Sequence, residues 1–356
     1  MAQRSAVDLT SVSQRAGSNE APIAAPPMHS SPVAISVVIP TRRGVAKLPN
    51  LAAALQPHLL SGDEVIVVDD ASDDGTPAVA VSLGLRVVAL DTNGGVGRAR
   101  NAGVRAAKNS VICFFDDDVV PVPEYLDTVR RVFADERVQC AQGAHALDPA
   151  DAGADRWQRA DALIWRHYEA TALVSDGRCA EYYSGATCVR RETFLAAGGF
   201  TEVYRGAGGE EFELAARLLA ITDICYVPEL VSYHHYKRLP ERLRTLYRRA
   251  RNFPAIAARA AKTAGVAGRP SHVWEGVRSA TACGTLLSVI AAPFVDGAAM
   301  VAVAGVVGFV ALDWRLYRDC VRWRRIELIP NILMMRSLQY VVMSCGALAG
   351  MAKHAR

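Results

Sequence analysis

Short apolar-rich runs alternate with helical periodicity through the first third of the chain. Ile35-Ser-Val-Val-Ile-Pro40, Glu64-Val-Ile-Val-Val-Asp69, Leu85-Arg-Val-Val-Ala-Leu90 and Val111-Ile-Cys-Phe-Phe115 each read as a buried strand. Between them, Leu48, Leu51, Leu55 and Leu59 recur at helical spacing over about 45–60, and a helix runs from Thr76-Pro77 to about Leu83. A glycine-rich loop from Asn93 to Gly103 passes into a helix ending near Asn109. This alternation predicts βαβ units, hence an α/β fold with a mostly parallel sheet flanked by helices. From 124 to 230 the pattern loosens. It predicts helices over about 124–135, 157–172, 191–197 and 212–220, and strands over about 138–142, 182–190 and 224–227.

The flanks differ from this middle. Residues 1–34 are rich in Ala, Ser, Pro and Gln and too poor in apolar side chains to offset ordering entropy, so a disordered leader is expected there, without a secretory signal. Residues 35–235 then form the α/β domain. A basic helical segment follows over 236–278: between Val231 and Arg278 there are eleven Lys or Arg against two acidic residues. Residues 279–356 are hydrophobic. Ala280 to Leu312 is 33 residues with one charge, Asp296, beside Pro293 and Gly297. One spanning helix needs about 20 apolar residues, so a kinked span or a tight hairpin fits better than two full spans. Arginines flank the stretch, Arg269 and Arg278 before it and Arg315, Arg318, Arg322, Arg324 and Arg325 after it, and both flanks on the cytoplasmic side would favour the hairpin. Residues 326–352 form another apolar stretch, interrupted by Arg336, and read as a further span or an interfacial helix. The expected location is a membrane, with the catalytic domain cytoplasmic.

Composition narrows the classes. The net charge of +4 over 356 residues does not suggest nucleic acid as a partner. Eight cysteines, none in a Cys-x-x-Cys pair, argue against a zinc site or a disulfide framework and fit a reducing compartment.

The chemistry gathers at strand ends. Asp116-Asp117-Asp118 follow the Val111 strand, and Asp69-Asp70 close the Glu64 strand. Ligands of such sheets bind outside the carboxyl ends of the strands. Three adjacent carboxylates repel one another, which a divalent cation such as Mg²⁺ or Mn²⁺ would relieve; a solvated acidic turn is the plainer alternative. The Asp70 loop is not a calcium loop, because its twelfth position is Val81 where a bidentate Glu is required. A carboxylate there can instead accept hydrogen bonds from a nucleotide, while Ser72 or Asp73 could cap the following helix. The Asn93–Gly103 loop has Arg100 where a dinucleotide fingerprint needs Gly, and it lacks a P-loop Gly-Lys-Ser/Thr. Arg98 and Arg100 beside flexible backbone suit a pyrophosphate. Glu210-Glu211, after the turn Gly206-Ala-Gly-Gly209, suit either a helix N-terminus or a general base. His234-His235 with Lys237 and Arg238 could contact phosphate or metal, and Arg248, Arg249 and Arg251 acidic headgroups or a diphosphate.

Taken in order, several blocks resemble the family 2 inverting glycosyltransferases of GT-A fold. They are Val37-Val-Ile-Pro40-Thr41, Val67-Val-Asp69-Asp70-Ala-Ser72-Asp-Asp-Gly75-Thr76, Asn93-x-Gly95 with Ala99-Arg100-Asn101-x-Gly103, and Phe115-Asp116-Asp-Asp118. Ser184-Gly185-Ala186 with Arg190-Arg191-Glu192, Gly198-Gly199-Phe200 and Gly209-Glu210-Glu211-Phe-Glu-Leu complete the set, which covers about 35–252. The resemblance implies a membrane-associated, non-processive enzyme that moves a hexosyl or deoxyhexosyl group from a nucleotide-diphospho-sugar to a glycan or lipid-linked acceptor. It implies a Rossmann-like GT-A sheet with a C-terminal helical, membrane-inserted region. Pro40, Thr41, Asp69, Asp70, Arg100, Asp116 and Asp117 would bind the nucleotide-sugar, and Asp118 with Asp116 would bind Mg²⁺ or Mn²⁺. Glu211 or Glu210 would be the base, although the family usually carries Asp at the position of Glu211. The Gln-x-x-Arg-Trp signature of processive synthases is absent after the basic segment. A nucleotidyltransferase, or a non-catalytic membrane-anchored sugar-nucleotide binder, would use similar acidic strand ends.

Overall fold

The computed structural model describes residues 32–171, 178–179, 186–203, 210–264 and 270–354. The expected leader falls outside the described residues as far as Ser31, as do Ser184-Gly185 and the Gly206–Gly209 turn.

The four runs read as strands are β1 (Ile35–Thr41), β2 (Glu64–Asp69), β3 (Arg86–Ala89) and β4 (Val111–Phe115). Between them lie α1 (Leu48–Leu55), α2 (Thr76–Ser82) and α3 (Val96–Ala106). The helix expected over 45–60 is shorter than its periodicity suggested, giving way to a 3-10 turn at Gln56–His58 that includes Pro57. Next come β5 (Val119–Pro121), α4 (Tyr125–Phe133), β6 (Cys140–His145), α5 (Arg156–Thr171), β7 (Arg178–Cys179), β8 (Ala186–Arg190), α6 (Arg191–Ala196), α7 (Glu210–Leu219) and β9 (Ile224–His234). All nine strands form one sheet in the order β3-β2-β1-β4-β8-β6-β9-β5, with β7 paired to β9. The ladders from β3 to β4 are parallel, as the alternation with helices demands. From β4 onward the sheet is mixed: β8 runs antiparallel to both β4 and β6, while β6 and β9 are parallel.

Strand residues alternate between two cores. Val37, Ile39, Val67, Cys113 and Phe115 pack with Leu48, Leu51 and Leu55 of α1 and Tyr125, Val129 and Phe133 of α4. Val38, Ile66, Val68, Ile112 and Phe114 face the other way, onto Ala99 and Ala102 of α3, Phe194 of α6 and Leu214 and Leu218 of α7. Burial on both faces explains why these strands carry no charge in their interiors. Contact is close enough that a Cβ on Gly103 of α3 would stand 2.3 Å from Val38 Cγ1.

Beyond β9 the chain is helical: α8 (Leu239–Ala264), α9 (Pro270–Ala291), α10 (Ala298–Leu312), α11 (Trp314–Arg322) and α12 (Ile329–His354). The stretch expected to be a kinked span or a hairpin is a hairpin, α9 against α10. Residues Ile326–Ala352 are long and apolar enough, by length and composition, to cross a membrane. However, α12 is tied into the protein. Ile332 and Met335 pack with Leu163 and Ile164 of α5 and with Leu316 and Cys320 of α11. Arg336 is buried, with Nε 2.9 Å from Asp313 Oδ2, and it also donates to the Tyr168 and Tyr340 hydroxyls. Near its other end, α12 lies so close to α8 that a Cβ on Gly346 would be 2.6 Å from the Tyr247 carbonyl oxygen.

Candidate functional site

A cleft of about 210 Å³ opens at the carboxyl ends of β1, β2 and β4, lined by Pro40, Thr41, Asp70, Asp116, Asp117 and Asp118, together with Arg42, Lys47, Val96 and Ala99. Register explains the convergence. Parallel pairing sets Thr41 beside Asp69 and Val38 beside Phe114, so β1, β2 and β4 end at one edge of the sheet.

The two strand-end carboxylates of β2 divide. Asp70 lines the cleft and accepts hydrogen bonds from the Gly94 and Gly95 N–H groups, at 2.7 and 2.9 Å, which fixes the glycine-rich loop at the start of α3. Asp69 does not line the cleft; it is buried and accepts from the Ser72 N–H. Neither Ser72 nor Asp73 caps α2. Ser72 Oγ accepts from the Arg43 N–H, Asp73 pairs with the Arg43 guanidinium, and Asp74 takes the first helical N–H from Thr76.

Asp116, Asp117 and Asp118 have three different surroundings. Asp117 accepts from Thr41 Oγ1 and Lys47 Nζ, each at 2.7 Å, and so ties the end of β4 to β1 and to the approach to α1. Burial nonetheless raises its pKa above the ordinary carboxylate value, against the opposing pull of Lys47. Asp116 sits 2.6 Å from Arg100 Nη2. Burial works against its ionisation, but the Arg100 charge outweighs it and holds the carboxyl below the usual range. Asp118 has no such cation: among the described residues its nearest ring or ion-pair partner is His234 Nε2, 3.6 Å away. Burial, and then the Asp116 charge, raise its pKa. Its backbone carbonyl accepts from the His235 N–H at 2.8 Å, holding this turn against β9.

Arg100 does not line the cleft. It lies fully buried behind Asp116, its guanidinium 5.1 Å over the Phe200 ring. Its Nη1 is 3.7 Å from Glu210 Oε1 and 3.8 Å from Glu211 Oε1, longer than a hydrogen bond. Burial alone would favour losing the proton, yet Asp116, Glu211 and Glu210 together raise the Arg100 pKa. One buried cation thus binds the acidic end of β4 to the start of α7. Glu210 is buried, while Glu211 is partly open to solvent.

Beside Asp118 the ends of β6 and β9 bring together two histidines, of which the sequence singled out only His234. His234, at the end of β9, lies 5.5 Å, ring to ring, from His145 at the end of β6. His145 Nδ1 is hydrogen-bonded to Glu169 of α5. Burial lowers the His145 pKa, but Glu169 more than reverses this and it ends raised. Burial, followed by the His145 charge, pushes His234 down to about 3, so His234 is a neutral imidazole with lone-pair character. His235 instead faces Asp151, Nδ1 to Oδ1 2.9 Å. Arg98, expected near a pyrophosphate, bonds the Thr92 carbonyl and hydroxyl. Arg42 and Lys47 are the cations that line the cleft. Nothing in the sequence around them distinguished these two from surface charges.

Among the described residues no three His, Cys, Asp or Glu side chains form a ready-made cage for a metal. The fit is of another kind: a carboxylate, Asp118, with no Lys or Arg ion pair among the described residues, a neutral histidine beside it and open space in front. This suits Mg²⁺ or Mn²⁺, which take one or two carboxylates and complete their shell with phosphate and water.

Residues 36–196 match the family model described as glycosyl transferase family 2. Among curated proteins, the succinoglycan biosynthesis protein ExoO of Rhizobium meliloti is 42% identical over 91 residues, 25% of each chain. The pre-mycofactocin glycosyltransferase of Mycobacterium tuberculosis is 26% identical over 220 residues, 60% of this chain and 45% of that protein. The chain therefore spans a quarter of the first relative and less than half of the second. Among solved structures, the mannosyltransferase PcManGT from Pyrobaculum calidifontis, in complex with GDP-Man and Mn²⁺, superposes with a TM-score of 0.54 at 18% identity, over 91% of this chain and 89% of that one.

Proposed function

Starting from a chain that is a family 2 glycosyltransferase of GT-A fold, we propose that it transfers a sugar from a nucleotide-diphospho-sugar to an acceptor hydroxyl with inversion, on a lipid-linked or cell-envelope acceptor at the cytoplasmic face of a membrane. The observation that carries this reading is Arg100, which stands within 4 Å of Asp116, Glu210 and Glu211 and so brings a carboxylate of the donor site and a candidate base to one buried cation.

Pro40, Thr41 and Asp70 receive the nucleotide, with Arg42 and Lys47 on the side of its phosphates. Asp118, with Asp116 and the neutral His234, holds Mg²⁺ or Mn²⁺; the Pyrobaculum enzyme was solved in complex with GDP-Man and Mn²⁺. When bound, that ion neutralises charge on the departing nucleoside diphosphate. Glu211 is the base. It is the more open carboxylate of the pair and can meet an acceptor hydroxyl, whereas buried Glu210 positions Arg100. A single displacement by the deprotonated hydroxyl inverts the anomeric carbon, so no covalent nucleophile is required. The exposed apolar hairpin α9–α10 supports a membrane setting, and hence an acceptor carried on lipid.

The test is a nucleotide-sugar screen with Mn²⁺ or Mg²⁺, scored by thermal shift and donor hydrolysis. Release of a nucleoside diphosphate is expected; release of pyrophosphate would instead favour nucleotidyl transfer. Donor binding that survives in Glu211→Gln, with turnover lost, is expected of the base. Unchanged function in that variant would reduce the protein to a sugar-nucleotide binder.

A further inference from the structure

We propose that the α9–α10 hairpin enters one leaflet of an anionic bilayer tip first, with α11 lying in the headgroup layer, and that neither the hairpin nor α12 crosses. The inference rests on the membrane association proposed above and specifies its mode.

The hairpin is apolar on nearly every side. Phe294 at its tip is 85% exposed and Met300 76%, with Leu287, Ile290, Val303 and Val307 also exposed. Soluble surfaces scatter such residues singly. On α10 the buried positions Ala298, Ala302 and Phe309 form one stripe, and exposed Val301, Val303, Val306 and Val307 surround it. A flat protein partner would cover one side of such a helix, whereas lipid covers all of them.

Its reach is limited. The hairpin's buried contact with α12 is at Ala282, Phe309 and Tyr340. From Ala282 to the end of α9 and from the start of α10 to Phe309, the helices extend about 14–17 Å at ~1.5 Å per residue. That is about half of a ~30 Å hydrocarbon core. The apolar helix α12 cannot supply a crossing instead. Its Arg336 is buried against Asp313, and Gly350 is pressed onto the Arg251 backbone of basic α8, where a Cβ would stand 2.1 Å from the carbonyl oxygen. No lipid could surround it there.

The base of the hairpin has the chemistry of a headgroup layer. After α10 the chain bends by 61° into α11, whose Leu316 and Cys320 pack inward on α5. Its outer face exposes Trp314, Arg315, Arg318, Val321 and Arg322, and the Arg318 guanidinium lies 4.8 Å over the Trp314 ring. An amphipathic tryptophan with exposed arginines suits the interface and favours anionic lipid. One group opposes insertion: Asp296, exposed at the tip. A carboxylate there penalises insertion, so its removal has a predictable sign.

The experiment is co-sedimentation of the full chain with phosphatidylcholine vesicles, with and without phosphatidylglycerol, and thiol labelling of the bound protein. Binding is expected to favour the phosphatidylglycerol vesicles, to fall roughly tenfold or more in Phe294→Asp and to rise in Asp296→Asn. Arg318→Gln with Arg322→Gln should remove the preference for anionic lipid. Cys345, exposed on α12, should stay reactive to an impermeant maleimide added outside, and Phe294→Cys should be protected from it on both sides. Protection of bound Cys345, or labelling of Phe294→Cys from the vesicle lumen, would overturn the proposal. So would a chain that stays in the supernatant and dimerises through the hairpin by light scattering. Donor hydrolysis without vesicles, equal in wild type and Phe294→Asp, shows that the variant folds. Its absence in wild type would count against the sugar-transfer reading and leave the anchor standing.

Discussion

Replacing Arg100 by Met keeps most of the buried volume and removes the charge that holds three carboxylates. Removing one member of a buried pair costs about 3–5 kcal/mol because the partner is left uncompensated. Here the lower end applies: Asp116 is about a third exposed, and the contacts to Glu210 and Glu211 are 3.7 and 3.8 Å. A loss of about 3 kcal/mol at pH 7 lowers the midpoint of a domain this size by roughly 6–12 °C. The pH dependence has a definite sign. Asp116 has a lowered pKa in the folded protein, so its contribution is present above the unfolded value of about 3.9 and is lost as pH falls through the folded one. The gap between wild type and Arg100→Met should therefore be constant from neutral pH down to about 5 and narrow below about 4. Urea unfolding across that range measures it. Arg100→Met with Asp116→Asn should recover part of the loss, because the orphaned charge is gone. A gap independent of pH, with no recovery in the double variant, would refute the electrostatic account of the site.

Asp118→Ala should abolish the stabilisation that Mn²⁺ with a nucleoside diphosphate confers in a thermal-shift assay, while leaving the metal-free midpoint within a degree or two, since Asp118 has no close cation to lose. Glu211→Gln should cut kcat about 10²–10⁴-fold with little change in donor affinity, measured by turnover and titration calorimetry. In Glu210→Gln, unlike Glu211→Gln, the thermal midpoint itself should fall, because the buried partner of Arg100 is lost. Gly103→Ala should cost about 1–3 kcal/mol in denaturant unfolding, as its new methyl would meet Val38 at 2.3 Å.

The strands that build the cleft were legible because both of their faces are buried: β1, β2 and β4 have no charge between their first and last residues, so an uncharged run and the carboxylates that follow it could be read together. The second half of the sheet was harder. Within β9, Pro228 and Glu229 break the apolar pattern, so only its first residues looked like strand, although it continues to His234. That extension brings His234 to Asp118 and, through the β6 ladder, to the neighbourhood of His145. Such proximity depends on register between segments far apart in sequence, which periodicity within either one does not contain. Arg336 looked like an interruption in an apolar span. Its partner, Asp313, lies 23 positions away, and only folding turns the charge into a reason for α12 to stay with the protein.

The triplet itself explains why adjacency in sequence could not assign roles. Three neighbouring carboxylates are chemically alike, and their surroundings alone make them different. Asp117 is satisfied by Thr41 and Lys47, and Asp116 by Arg100, so two of the three negative charges already have fixed cations. If all three were so paired, nothing would draw a divalent ion; if none were, their mutual repulsion would oppose the turn that presents them. Leaving one unpaired, Asp118, beside a neutral His234 gives a single point of attraction that fixed charges do not already satisfy. A dication placed there would still carry positive charge toward the open side of the cleft, where Lys47 and Arg42 also face. That arrangement favours a ligand bringing two negative charges of its own, which is what a diphosphate offers and a neutral sugar does not.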